Sequence, residues 1–248
     1  MSHTRVLVVR SGANPFASVG ESSQVEIVEK VSHAIQPLDP GEEPFSSPAR
    51  LTIFTSQVSV ERCASDARLA KLLQSAIAGG QVAAVGTMTA DALRRHGIET
   101  QIVGKGSAES ILQSLPHDLE GWRVLLPCGE DASSELPEGL RHRGARVARA
   151  VLYRKVPRPR EEAFEREVVE HPFAAFLTTS PSAAIWLFER LPEATAERLR
   201  TTPAVVLGRF TRRLLETYGV AHIVTAPEAH FGAALHELER LAGTGARA

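Results

Sequence analysis

The chain has 248 residues, a formal net charge of −1, 43% hydrophobic and 23% charged residues, which bounds it to one large or two small domains of ordinary globular composition. Near-neutral charge excludes a global pull on nucleic acid, and no apolar run approaches the ~18 residues that a membrane-spanning helix needs. Two cysteines, Cys63 and Cys128, form neither a CxxC pair nor a disulfide framework, so a reducing cytoplasm is the expected setting.

The start, MSHTRVLVVRSG, lacks the apolar region of a secretory signal and runs directly into a strand at Thr4–Arg10. Residues 14–23 read as a loop, and 24–31 (QVEIVEKV) fits either a helix or a strand. Residues 34–38 contain a proline and read as an edge strand or linker. Residues 39–48 (DPGEEPFSSP) hold three prolines and a glycine and mark the clearest boundary of the first half. A strand at 51–54 precedes a helical period over 58–73. After residues 81–97 come a short strand at 98–103 and a helix over 107–115 with Ser107 as its N-cap. A strand at 121–127 leads into Cys128-Gly129-Glu130, and a helix at 136–142 is stopped by Gly144. Residues 145–156 are extended, with Val147, Val151 and Tyr153 on one face. Residues 157–160 (PRPR) form the second boundary. Residues 161–170 read as a solvated helix with Glu162 and Arg166 four apart. A strand at 174–177, a helix at 183–191, residues 204–219, a strand at 222–224 and a helix at 231–241 complete the chain.

One stretch occurs twice. Residues 82–97 (VAAVGTMTADALRRHG) and 204–219 (AVVLGRFTRRLLETYG) share an apolar run, a Gly, a Thr three residues on, a Leu and a closing Gly. Gly86 matches Gly208, Thr89 matches Thr211, and Gly97 matches Gly219. Each copy reads as a buried strand, a tight turn and a helix capped by the Thr hydroxyl, with the last Gly as its left-handed stop. The duplication reaches further. Ser56, in Phe54-Thr55-Ser56, lies 30 residues before Gly86, and Ser180, in Thr178-Thr179-Ser180, lies 28 before Gly208. RVLVVR at 5–10 also resembles RVLLP at 123–127, giving the order A, B, A′, B′. Alternating strands and helices predict parallel, doubly wound sheets. Ligands in such sheets sit beyond the C-terminal strand ends, where Arg10, Ser56, Gly86, Thr89, Gly129, Ser180, Ser182, Gly208 and Thr211 fall. Two such edges are expected to face each other across a cleft, and helix N-termini there suit anions.

The ordered set FTS at 54–56, VGxxTAxAL at 85–93, LPxGE at 126–130, LYRKVP at 152–157 and TSPSA at 179–183 resembles the uroporphyrinogen-III synthase family over nearly the whole chain. The resemblance implies two similar α/β parallel-sheet domains joined by a two-stranded ladder. Residues 1–32 with 165–248 would make one domain, 40–150 the other, and 33–38 with 151–157 the ladder. It implies a cofactor-free, metal-free cyclisation of hydroxymethylbilane to uroporphyrinogen III, with loss of water and inversion of the last ring through an azafulvene and a spiro intermediate. The partner is then a linear tetrapyrrole with eight carboxylates, supplied by hydroxymethylbilane synthase, and the protein a cytoplasmic monomer. Tyr153 matches the ladder tyrosine and is the expected general acid for the leaving hydroxyl. Arg10, Lys105, Arg154, Arg209 and Arg212 are cations near strand ends. The chain departs from the family at Cys128, where an Arg is common, and at Gln57-Val58-Ser59, where an Asn-Ala pair is common.

Other signals are weaker. The nine histidines include no HExxH, and His230 and His236 lie six apart, which suits solvated or capping roles. Cys128 reads as a buried turn residue, Glu130-Asp131 as a solvated helix start, and Arg209, Arg212 and Arg213 as either an anion patch or a solvated face. Gly104-Lys105-Gly106-Ser107 lacks phosphate-loop spacing. Beside the lyase stand two alternatives: a non-catalytic tetrapyrrole-binding or sensing module, and an unrelated two-lobed small-molecule binder.

Overall fold

The computed structural model describes residues 4–12, 25–189, 191–227 and 231–245. The loop reading at 14–23 and His230 lie outside the described residues. In chain order the elements are β1 (Thr4–Arg10), β2 (Val25–Val31), β3 (His33–Pro37), β4 (Leu51–Phe54), α1 (Gln57–Ser65), α2 (Ala67–Ile77), β5 (Gln81–Ala84), α3 (Thr87–Arg95) and β6 (Ile102–Val103). They continue with α4 (Ala108–Gln113), β7 (Arg123–Gly129), α5 (Glu135–His142), β8 (Arg146–Pro157), α6 (Glu162–Glu170) and β9 (Ala175–Thr178). The last are α7 (Pro181–Phe188), α8 (Glu193–Thr201), β10 (Ala204–Val206), α9 (Arg209–Thr217), β11 (Ile223–Thr225) and α10 (Phe231–Gly245).

The chain divides into two compact units, Met1–Ile35 with Val156–Ala248, and Gln36–Lys155. The first carries a sheet ordered β11-β10-β9-β1-β2, parallel at every pairing. Its two faces are covered separately. Leu7 and Val9 of β1 join a core with Phe164, Leu187, Leu199 and Leu215, while Val6 and Val8 join one with Ala234, Leu238 and Ala242. That is the two-residue alternation of a strand with helices on both sides. Each fully buried Val or Leu here contributes about 1.5–3 kcal/mol.

The second sheet is ordered β3-β8-β7-β4-β5-β6, with parallel pairing from β8 to β6. Leu51 and Ile53 of β4 pack with Ile111, Leu136 and Leu140 from α4 and α5. α1 packs on β4 and β7 and buries Val60 and Cys63. The two sheets match strand for strand: β9, β10 and β11 stand to β1 and β2 as β4, β5 and β6 stand to β7 and β8. Piece A therefore shares a sheet with B′, and A′ with B. β3 and β8 are neighbours, and β8 pairs with β7 from Arg146 to Tyr153 before running on to Pro157.

Several local expectations need correction. The helical period over 58–73 is two helices, because Asp66 turns extended (φ −115°) and accepts the N–H groups of Arg68 and Leu69 to cap α2. Within residues 39–48, read as a boundary, Pro44 and Phe45 are buried in a short 3-10 turn. Strand β7 runs two residues past Pro127, which costs little because β4 pairs only as far as Leu125 and leaves the missing N–H of Pro127 without a ladder partner to lose. α6 is amphipathic rather than solvated all round, burying Phe164 and Val168. Of the two readings open for 24–31 the strand holds, over Val25–Val31; the strand at 98–103 is only Ile102–Val103, and α8 was not read from the sequence at all.

Candidate active site

The two signature copies build the same βα turn. In each the helix starts at the glycine, not the threonine: Gly86 and Gly208 are the N-caps of α3 and α9, both extended, with no side-chain cap. Thr89 and Thr211 sit one turn inside, 7% and 3% exposed, so their hydroxyls are not caps. The reason is geometric. The chain turns two residues after β5 and β10 end, and two residues of helix precede each Thr. The closing glycines behave as read, with Gly97 at φ +71° and Gly219 at +85°.

The serine turns do cap their helices. Ser56 and Ser180 each accept an N–H from three residues on, Ser59 and Ala183, at 3.2 Å. Ser180 also donates to Ser11 Oγ at 2.8 Å and lies 3.1 Å from Ser182 Oγ. Ser56 Oγ lies 3.0 Å from the Tyr153 hydroxyl and 3.0 Å from Ser59 Oγ.

Tyr153 is the focus of a cavity of about 260 Å³ within the second unit, at the C-terminal ends of β4 and β7. Ser56, Gly129, Asp131, Arg149 and Lys155 share its wall. The cavity is below the ~300–1,000 Å³ usual for a whole small-molecule ligand, a size for part of a larger one. Tyr153 reaches it through an irregularity in the β7–β8 register, where Cys128 faces Val151 but Gly129 faces Tyr153. The ring then lies directly over Gly129. A Cβ at that position would sit 2.8 Å from Tyr153 Cζ and 2.9 Å from Cε2. Gly129, read as a substrate contact, is thus first the residue that makes room for the phenol.

Burial pushes the Tyr153 phenol above its ordinary value of 10, and its hydrogen bond with Ser56 pulls it partly back. The group is a neutral O–H donor at neutral pH. Burial likewise pushes the Cys128 thiol up, against the pull of Arg149, so this thiol is not an activated nucleophile. Lys155 Nζ donates to Asp131 Oδ2 at 2.9 Å. Asp131, expected at a solvated helix start, instead sits in a turn against this lysine. With Arg149 the wall carries two cations to one carboxylate, a balance that favours an anionic group. Gly106 and Ser107, from the loop set aside for lacking phosphate-loop spacing, also line it.

The structure thus brings Ser56, Gly129 and Tyr153 together. Gly86 and Thr89 stand on the adjacent β5–α3 turn of the same unit. Arg10, Ser180, Ser182, Gly208 and Thr211 belong to the other unit. Arg10 is 8% exposed, donates from Nε to Glu29 Oε1 at 2.6 Å and lies 5.5 Å from the Phe231 ring centroid, so its charge is already met. Arg154 donates to Gln36 at 2.8 Å and Arg212 to Glu216 at 2.9 Å. Sequence reading missed Ser59, and it missed Arg149 and set Asp131 aside as a solvated helix start. The β7–β8 register was the signal that gathers the last two. Among the described residues no group of His, Cys, Asp or Glu is placed to hold a metal, and no helix is long and apolar enough to cross a membrane.

The family profile described as uroporphyrinogen-III synthase HemD matches residues 11–236. A protein of Methanothermobacter thermautotrophicus named "Putative uroporphyrinogen-III synthase" is 32% identical over 184 residues, 70% of this chain and 71% of that one. A crystal structure of a mutant uroporphyrinogen III synthase from Thermus thermophilus superposes with a TM-score of 0.64 at 22% identity, covering 96% of this chain and 99% of that one. The uroporphyrinogen-III synthetase of Helicobacter pylori gives 0.62 at 18% identity, covering 97% and 100%. These two structures share the parallel α/β fold described above, and the profile, spanning most of the sequence, places the chain in the uroporphyrinogen-III synthase family.

Proposed function

We propose that this chain is a cofactor-free lyase that closes hydroxymethylbilane to uroporphyrinogen III, with Tyr153 as the general acid. The observation that carries this reading is a buried phenol, kept protonated by its surroundings, whose oxygen is 3.0 Å from Ser56 Oγ at the rim of a cation-lined cavity. The terminal hydroxymethyl C–O bond breaks as its oxygen takes the Tyr153 proton and leaves as water. The pyrrole nitrogen supplies the electron pair, giving an azafulvene. Carbon–carbon bond formation through the spiro intermediate releases a proton, which returns to the phenolate. Such a donor is worth about 10²–10⁴ in rate. Arg149, Lys155 and the free N–H groups at the start of α1 receive carboxylates of the eight the substrate carries. The same reading has the protein act as a cytoplasmic monomer on the product of hydroxymethylbilane synthase.

The linear substrate closes on its own to the type I isomer, so the products discriminate. Incubation with hydroxymethylbilane, oxidation and separation of the isomers should give mainly type III. Type I alone would reject the lyase and leave the binding-module reading, which Cys128 in place of the family's frequent Arg favours.

A further inference from the structure

The Tyr153 hydroxyl belongs to a set of three. Ser59 Oγ lies 3.0 Å from Ser56 Oγ, and Ser56 Oγ 3.0 Å from Tyr153 Oη. Ser59 is fully buried in the first turn of α1, fixed there by its own N–H to Ser56 Oγ at 3.2 Å. Among the described residues no helix carbonyl accepts its hydroxyl. A buried O–H left without an acceptor is costly, and the acceptors that the Ser59 hydroxyl meets are Ser56 Oγ, at 3.0 Å, and the Tyr153 oxygen; the case that matters here is donation to Ser56. Ser56 Oγ then holds two donated hydrogens, from the Ser59 N–H and O–H, and both lone pairs are filled. Its own hydrogen is left for the Tyr153 oxygen. In that arrangement both serine hydrogens are used within the set, and the third, on Tyr153, is free for the cavity.

We propose that Ser59 is a positioning residue: its hydroxyl fixes the direction of the Ser59–Ser56–Tyr153 chain so that Tyr153 presents its proton to the cavity rather than spending it on Ser56. The inference rests on the reading of Tyr153 as the proton donor. The duplicated turn shows what the hydroxyl adds. At the place of Ser59 the other unit has Ala183, fully buried, and its cap Ser180 sends its proton to Ser11 instead. Ala183 also shows that this helix position takes alanine without loss of the cap.

The chain has two tyrosines, so a Tyr218→Phe background leaves Tyr153 as the sole phenol. With fluorotyrosine incorporated, whose phenol is more acidic, Tyr153 titrates by fluorine NMR while the protein stays folded. Ser59→Ala should raise the midpoint by roughly half a unit to one unit, since the Ser59 hydroxyl favours the ionised phenol both directly and through Ser56, and that support is removed. In the unlabelled enzyme it should lower kcat roughly threefold to tenfold with KM unchanged. Added to Tyr153→Phe it should lower kcat no further. An unmoved midpoint, or an equal loss of kcat in the Tyr153→Phe background, would overturn the proposal. The titration reads the hydroxyl chain in the absence of substrate, so its outcome is independent of the isomer assay that tests the lyase reading.

Discussion

The turn from β4 into α1 and the turn from β9 into α7 are two copies of one device. Each follows four fully buried strand residues. Each has an extended serine cap, at φ −155° and −160°, accepting the third N–H at 3.2 Å. They differ in what stands beside them. Next to Ser56 the bulged end of β8 delivers a phenol. In the other unit the corresponding strand, β2, ends at Val31, and the hydroxyl of the following Ser32 is spent on the Arg10 carbonyl at 2.9 Å, while the Arg10 side chain is spent on Glu29. The duplicated frame supplies helix N-termini twice, but the buried phenol, the proposed proton donor, once. Chemistry therefore follows the neighbouring strand's register, not the turn motif itself.

The comparison breaks first at Tyr153. Tyr153→Phe keeps the ring and the packing but should reduce kcat by about 10²-fold or more, measured as initial rate of type III formation. Glycine substitutions come next. Gly129→Ala drives a Cβ to within 2.9 Å of the Tyr153 ring and should cost about 1–3 kcal/mol in urea unfolding. Gly208→Ala meets nothing within 4 Å and has an extended backbone, so the same measurement should show a change under about 0.5 kcal/mol. Third, Ser56→Ala and Ser180→Ala each remove a cap worth about 1 kcal/mol, and only the first should move the Tyr153 titration.

The smallest effect near neutrality concerns Cys63. Burial pushes this thiol from 9.0 up to about 12. Below pH 9 it is protonated folded and unfolded and contributes nothing to the pH dependence. Between 9 and about 12 the unfolded thiol ionises while the folded one keeps its proton, so stability falls as pH rises. Unfolding midpoints at pH 8 and 10 should separate in the wild-type protein and lie closer together in Cys63→Ala.

Much of the frame was legible because its signals are local. The β1 run, the Ser107 cap and the glycine stops at 97, 144 and 219 each depend on a few neighbouring residues. Where a competing local signal existed the reading failed. Asp66 capped a new helix inside a continuous apolar period, and glycine rather than threonine opened α3 and α9. Pro44 and Phe45 looked like linker residues by composition yet found a core to join. Of the site, Tyr153 and Ser56 were legible through the family motifs. Their 3.0 Å contact was not, nor were Ser59, Asp131 and Arg149. The contact itself depends on a one-residue shift between β7 and β8 just before Tyr153, and a single-residue change of register redirects every side chain that follows.

The most direct test of the account is the isomer composition formed from hydroxymethylbilane by wild-type protein and by Tyr153→Phe at equal concentration. The account predicts mostly type III from the first, and from the second a slow reaction in which spontaneous type I predominates. Undiminished type III from Tyr153→Phe would contradict it.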